Sequence, residues 1–464
     1  MTTAAAPPAA TADTAHRAVY ARIGRNVAWL LGGRGFAGLT SIAYLAIAAR
    51  TMGPHSFGEF TLVLAYGQII ANLTQFQSWQ GVIRYGSIHI AEGREDRLSR
   101  LLGFSASLDI GSAGVGAVLA MIGTGIVGAF LDWSHTEQIR AALFGAALVI
   151  SINATPTGML RLQDRFDLLT YAQAVAPAVR LAGSIVAWVA SDGVGAFLAV
   201  WAAAMLFQSI AIWVIALIAT RQKLSFGAAA SRQAAAENPG IVRFMMITNL
   251  SSCCGLLWEQ IGTLAVGGVA GATAAGGFRI ASRLAKAIAK PVQTMSKVIY
   301  PELARLVASK DHATIGRVML RISLIAIGLS LLIIVVAGFG GASLLSLIAG
   351  PEYRFAHMLL FLLAIASAID LAGFAIEPLL NAHGRAGPVL AAKLAGLALY
   401  AGLLALLLPS HGAMGAAVAT IIGMALVKLP LIAPTWRLLK RRPQQAPDAL
   451  SDTPATMPAV AATA

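Results

Sequence analysis

Long apolar runs separated by short polar ones dominate this chain. A helix crosses the hydrocarbon of a bilayer with about 20 apolar residues, within about 17–25. By that measure twelve segments read as membrane-spanning helices. They lie at roughly 26–49, 58–80, 101–131, 139–159, 168–190, 194–219, 244–265, 273–300, 320–349, 357–380, 389–408 and 412–434. Apolar runs such as residues 329–337, broken only by Ser330, lack the period-two alternation of a membrane β-barrel strand. The outer connections, such as 191–193 and 409–411, leave no room for an extracellular domain.

The longest polar interruption, residues 221–239, splits the spans into two groups of six. The pattern therefore predicts five parts: an N-tail over 1–22, an N-lobe over 23–220, a linker over 221–240, a C-lobe over 241–436 and a C-tail over 437–464. Both tails are Ala- and Pro-rich, which predicts disorder. The first 16 residues have no apolar core and do not read as a cleavable signal peptide. The two halves also match faintly. At a constant offset of 218, Ile23 pairs with Ile241, Arg25 with Arg243, Leu39 with Leu257, Gly53 with Gly271, Gly58 with Gly276 and Phe60 with Phe278. Six spans per half give the halves equal orientation, hence a parallel repeat.

Composition agrees with the pattern: 58% of residues are hydrophobic and 12% are charged, against about 25% charged in soluble domains. The net charge of +14 would suggest nucleic acid in a soluble protein. Here its placement decides otherwise. Twenty-three Lys and Arg fall in segments on one side, and only Arg50, Arg140 and Arg354 on the other. That asymmetry predicts cytoplasmic termini, and it removes the nucleic-acid reading, because the basic residues alternate with spans instead of forming one patch.

Eight cations and four acids remain inside spans, where ionisable groups are functional candidates by default. Arg279, Arg283, Lys286, Lys290 and Lys297 lie in the eighth span at spacings of 4, 3, 4 and 7. On a helix they share an arc of roughly 60° over roughly 27 Å. Each costs about 2.5–3.5 kcal/mol at the centre of a lipid-facing helix, so the stripe should face water, counter-charges or an anionic ligand. The bland reading is an amphipathic helix on the cytoplasmic surface with snorkelling Lys. Arg34, between Gly33 and Gly35, is a further cavity candidate, as are Arg180 and Lys428, each near a proline. Asp109, Glu259, Asp370 and Glu377 are candidates for ion coupling or for simple charge balance. The cationic excess inside the membrane points to an anionic substrate, with phosphate or pyrophosphate the best fit.

Other signals carry little. Gly123-Thr-Gly125-Ile-Val-Gly128 lies inside an apolar span without a preceding strand, so it is no dinucleotide loop. The adjacent Cys253 and Cys254 lack metal-site spacing, and no cofactor or metal is implied.

Several motifs resemble a known family. Ala49-Arg50-Thr-Met-Gly53-Pro54-His-Ser-Phe57-Gly58 resembles the "AR-x-LGP-x-x-FG" turn of bacterial polysaccharide transporters. Ile299-Tyr300-Pro301-Glu302-Leu303-Ala-Arg305, Asn381-Ala-His-Gly384-Arg385 and the segment from Gly412 through Gly415 to Thr420 are similar elements in matching order. Together they resemble the oligosaccharide flippase (Wzx-like) branch of the multidrug/oligosaccharidyl-lipid/polysaccharide exporter superfamily. The resemblance implies an all-α integral membrane fold of about twelve transmembrane helices, in two six-helix lobes around a cationic central cavity. It implies a non-enzymatic role in the bacterial inner membrane: moving polyprenyl-pyrophosphate-linked oligosaccharide by alternating access, with membrane lipids, a glycan polymerase and chain-length machinery as partners. A drug exporter of the same superfamily is the first rival, although cationic drugs call for an acidic or neutral cavity. A glycan polymerase or ligase is the second, although such enzymes place catalytic groups in a large outer loop.

Overall fold

The computed structural model describes residues 12–190, 193–308, 312–382 and 386–440. In chain order the helices are α1 (Ala12–Thr74), α2 (Ser78–Ala91), α3 (Glu95–Phe130), α4 (His135–Ile150), α5 (Ala154–Leu162), α6 (Phe166–Val189), α7 (Val194–Thr220), α8 (Ala228–Glu237), α9 (Ile241–Ala308), α10 (His312–Ile348), α11 (His357–Ala372), α12 (Ile376–Ala382) and α13 (Ala386–Lys440). A short 3-10 turn, Pro351–Ala356, precedes α11. Among the described residues eight segments are long and apolar enough to cross a membrane. This is an all-α integral membrane protein. Its first helix starts at Ala12, inside the stretch read as a disordered tail. Residues 1–11 and 441–464 of the two tails lie outside the described residues.

Three of these helices double back on themselves, each at one glycine. Gly53, Gly271 and Gly412 all take positive φ, a conformation open to glycine but strained for other residues. In α1, Trp29 meets α6 through Tyr171 on one arm, while Tyr66 on the other arm donates to the Ala120 carbonyl of α3 at 2.7 Å. Pro54, directly after the Gly53 turn, starts the returning arm, where its missing N–H has no helical bond to make. In α9, Arg279 reaches back to Gln260; in α13, Thr420 reaches back to Tyr400.

The faint repeat has a structural counterpart. Gly53 (φ 72, ψ 172) and Gly271 (φ 83, ψ 171), 218 residues apart, adopt nearly the same conformation. Their hairpins cross backbone to backbone. A Cβ on Gly58 would overlap the Ala272 carbonyl, and one on Gly276 would lie 3.1 Å from the Gly58 Cα. Between apolar helices in lipid, association rests on close van der Waals packing of this kind. Around the crossing lies the largest apolar cluster, including Phe57, Phe60, Phe197, Trp201, Phe278 and Tyr353. Phe60 meets Trp201 edge-on at 5.1 Å, and Phe57 meets Tyr353 edge-on at 6.0 Å. Beside it, Arg50 donates from Nε to the Ile348 carbonyl at 3.1 Å and from Nη2 to that of Leu347. A guanidinium there satisfies orphan carbonyls and the negative end of the α10 dipole.

The polar stretch between the halves contains α8, which docks on α3. Arg100 grips Glu237 with two bonds, Nε–Oε2 at 3.1 Å and Nη2–Oε1 at 2.6 Å. His89 meets Asn238 at 2.9 Å, and the Ser225 N–H donates to the Ser99 carbonyl at 3.1 Å.

Two predictions follow from this packing. Gly58→Val should lower the melting temperature of the detergent-purified protein by an amount equivalent to roughly 1–3 kcal/mol or more, since the backbone opposite cannot yield. Gly38→Ala, which meets nothing within 4 Å, should be neutral by the same measurement. The second concerns pH. Hydrogen bonding from Arg100 holds the Glu237 carboxyl below its ordinary range. Its contribution is therefore present above the ordinary Glu value of about 4.3 and is lost as pH falls through the lowered folded value. Wild type should melt above Glu237→Gln at pH 7, by the equivalent of about 1 kcal/mol, and the two melting curves should converge toward pH 3.

Candidate functional site

Ion pairs gather where helices reverse or break. The returning arm of α9 carries Arg279, Arg283 and Lys286 on successive turns. The preceding arm of the same hairpin brings Glu259 and Gln260 alongside. Between α11 and α12 the helix is interrupted at residues 373–375, and Asp370 and Glu377 flank the break. From α13, Lys393 and Lys428 reach into the same region.

These elements enclose a cavity of about 360 Å³ lined by Lys286, Lys393 and Lys428, by Glu259, Asp370 and Glu377, and by the aromatic pair Trp258 and Tyr400. Lys428, 7% exposed, sits 3.0 Å from both Asp370 and Glu377. Lys393 lies 2.7 Å from the other Glu377 oxygen, and Lys286 lies 3.0 Å from Glu259. Each acid on this wall therefore has a lysine. A buried charge without a partner costs several kcal/mol, which explains why the two signs arrive together. Gly373 fits the break, because a Cβ there would press on the Lys428 stem at 3.1 Å. Trp258 stacks on Tyr400 with ring centres 4.5 Å apart.

Arg279 and Arg283 differ from the lysines. Arg279 is 7% exposed and donates to two neutral amides, Gln260 Oε1 at 3.0 Å and, across the halves, Gln68 Oε1 at 3.5 Å. Arg283, one turn further, is exposed. Neither has a carboxylate within ion-pair distance among the described residues.

The remaining candidates lie elsewhere. Arg180 lies in the first half, with its guanidinium 5.8 Å from the Tyr44 ring centre and 5.5 Å from that of Trp201, and Nη2 2.9 Å from Met205 Sδ. Arg180 is thus seated among aromatics and thioether, a cation–π setting. Asp109 is also in the first half and is paired with hydroxyls, not cations. Arg34, Lys290 and Lys297 have side chains outside the described residues.

The sequence reading missed Lys393, because it lies at the interfacial end of its span and was counted with the cytoplasmic charges. Gln68, Gln260, Trp258 and Tyr400 carry no charge, so the search for intramembrane ions could not find them. A cue existed for Gln68 and Gln260, as polar amides inside apolar spans.

Helical hairpins crossed on glycine, with charges clustered at helix breaks, define a polytopic all-α membrane architecture. The fold is that of a multidrug resistance MATE family transporter of the MOP superfamily in an inward-facing conformation, with a TM-score of 0.72, 13% identity, and 87% of this chain and 96% of that one covered. It is also that of the lipid II flippase MurJ in an inward closed conformation, with a TM-score of 0.68, 12% identity, and 88% and 87% covered. Residues 23–307 match the family model described as polysaccharide biosynthesis protein. Inner membrane protein YghQ of Escherichia coli (strain K12) is 30% identical over 353 residues, 75% of this chain and 97% of that protein. The chain belongs to the polysaccharide biosynthesis protein family.

The lysine–acid network orders its own substitutions. Lys428→Met removes the one ammonium that bridges Asp370 and Glu377 and should destabilise by roughly 3 kcal/mol. Lys393→Met leaves Glu377 still paired with Lys428 and should cost about 1 kcal/mol or less. Thermal melting of the purified variants checks the order.

Proposed function

We propose that this protein is a flippase that carries polyprenyl-pyrophosphate-linked oligosaccharide across the bacterial inner membrane by alternating access. In this reading the chain makes twelve passes in two six-helix lobes, residues 23–220 and 241–436, with both termini in the cytoplasm. Membrane lipids surround it, and a glycan polymerase with its chain-length machinery takes up the product. The relative named as an inner membrane protein supports the location.

The observation that carries this reading is an imbalance. Lysines match Glu259, Asp370 and Glu377, while Arg279 and Arg283 are left without a carboxylate among the described residues. Lys290 and Lys297 continue the row in sequence. Two guanidiniums on adjacent turns suit a pyrophosphate, since each presents a planar fork to phosphate oxygens. The ion-paired cavity beside them offers alternating donors and acceptors, which fits the hydroxyls of a glycan. The lipid tail would stay in the bilayer. A drug-exporter reading would need acids left unmatched to attract cationic cargo, and those near the cavity are all matched.

Arg283→Ala tests the reading. Loss of one charge-assisted contact of about 1.5–3 kcal/mol corresponds to roughly 10–150-fold weaker transport. Translocation of a polyprenyl-pyrophosphate-linked glycan in proteoliposomes should fall accordingly, with Arg283→Lys retaining part of it. Unchanged transport by the Arg283→Ala protein at equal membrane levels would remove the anion-clamp role.

A further inference from the structure

Asp109 is the one in-span acid that the cationic network does not use. At about 1.5 Å per residue it lies roughly 20 Å along α3 from Glu95, well inside the hydrocarbon. It is 4% exposed, and no Lys, Arg or His among the described residues lies within ion-pair distance of it. Instead two interrupted helices converge on it. The path breaks at residues 75–77 before α2 and at 151–153 before α5. Ser78, the first residue of α2, donates its hydroxyl to Asp109 Oδ2 at 2.9 Å. Thr155, in the first turn of α5, donates its hydroxyl at 2.6 Å and its backbone N–H at 3.0 Å to the same oxygen. Two positive helix ends therefore face one carboxylate.

The other oxygen is different. Asp109 Oδ1 is buried without a hydrogen-bond partner among the described residues, and so is Asn153 Oδ1. Both residues line one pocket of about 210 Å³, with Gln75, Gln77, Trp79 and Thr157. A buried acceptor left unmade is costly, and native structures rarely retain one without a reason. Discontinuous helices around an acidic group at mid-membrane are a common way to build a coupling-ion site.

We propose that Asp109 Oδ1 is the proton-binding atom that couples this transporter to a proton gradient. A proton leaves water in the 210 Å³ pocket, binds Oδ1, and is released to water when the site opens to the other side. Oδ2 stays held by its three donors throughout, so the side chain keeps its orientation in both charge states. Protonation turns Oδ1 from an unmatched acceptor into a donor, in a pocket that also holds the unmatched Asn153 oxygen. A sodium ion would need a shell of converging oxygens, and the Ser78 and Thr155 hydroxyls are turned to Oδ2 instead.

Several titratable side chains on the elements packed against α3 have their own partners. Arg84 stacks on Phe244 and Arg161 on Trp79. Tyr85 donates to the Pro239 carbonyl, His89 pairs with Asn238, and Tyr66 donates to the Ala120 carbonyl. On α4 and α8, Glu137 caps its own helix at one end of the bundle and Glu237 grips Arg100 at the other.

The driving role rests on the flippase reading, but the protonation does not, so the decisive experiment needs no substrate. Infrared difference spectra of the purified protein between acid and alkaline pH, in sodium-free buffer, should contain the carbonyl stretch of a protonated carboxyl. Because the chain's 20 Asp and Glu all absorb there, the band of Asp109 is taken as wild type minus Asp109→Asn, which is isosteric with the protonated form and should lack it. Ser78→Ala removes one donor to the charged form and should move the band's midpoint upward by roughly 0.5–1 pH unit; it also keeps the test decisive should Asp109→Asn fail to fold. A band that persists unchanged in Asp109→Asn, or a midpoint unmoved in Ser78→Ala, overturns the proposal. A band abolished by added sodium overturns it in favour of a sodium site. In proteoliposomes, Asp109→Asn should abolish glycan-linked proton uptake read by an entrapped pH dye. Absence of glycan transport by wild type, with the infrared result as expected, would sink the flippase reading and leave the protonation standing.

Discussion

The backbone contact between Gly58 and the turn at Gly271 and Ala272 is the constraint from which the rest of this structure hangs. In a bilayer two apolar helices gain little by leaving lipid for each other, so they stay together only where their backbones approach closely. Here the approach is so close that a single Cβ on Gly58 would overlap the Ala272 carbonyl. Because the contact joins the first hairpin to the equivalent hairpin of the second half, it fixes how the halves meet. It also sets the position of Arg279, seven residues beyond Ala272, whose guanidinium reaches Gln68 on the partner hairpin. The cationic row is therefore placed at the seam between the halves by glycine packing, not by any attraction between charges.

Around that contact the two halves are tied at one end. Arg50 caps the end of α10, Tyr353 reaches the Ala49 carbonyl at 3.4 Å, and Phe57 packs on Tyr353. These bonds run from the first half to the second. At the other end Arg100 on Glu237 and His89 on Asn238 hold α8 and the following turn to the first half. The polar stretch is therefore packed on the first half up to Asn238, two residues before Gly240, where φ is +81.

Much of this was legible in the sequence, for identifiable reasons. Long apolar runs announce spans because lipid tolerates no unpaired backbone. The 218-residue offset paired Gly53 with Gly271 and Gly58 with Gly276, and those four glycines make the crossing. The Arg50-to-Gly58 motif proved to be the turn of the first hairpin and the cap of α10. Charges inside spans were visible as anomalies, and three of the four acids indeed lie beside lysines. The breaks at 75–77, 151–153 and 373–375 were not visible. Only the last holds a glycine and none holds a proline, and the polar residues at the first two, Gln75, Gln77, Ser151 and Asn153, fall inside the runs read as the spans 58–80 and 139–159. Lys393 and the docking of α8 were hidden for a related reason: both depend on which distant element lies opposite, which no local pattern encodes.

The breaks also explain why the two halves treat their acids differently. In the second half the break falls beside α13, whose Lys393 and Lys428 reach into it, so Asp370 and Glu377 meet cations there. In the first half the two breaks meet at Asp109, and the arriving groups are helix ends, hydroxyls and amides. Partial charges and dipoles stabilise a carboxylate less completely than an ammonium does, and they leave room for the group to change its charge. On the flippase reading, a carboxylate locked to lysine suits a wall past which cargo moves, and one held by hydroxyls on a single oxygen suits the proton site proposed for Asp109. The same fold element, a helix interrupted inside the membrane, thus receives its acids in two ways, and the difference lies in what the neighbouring helix carries at that depth.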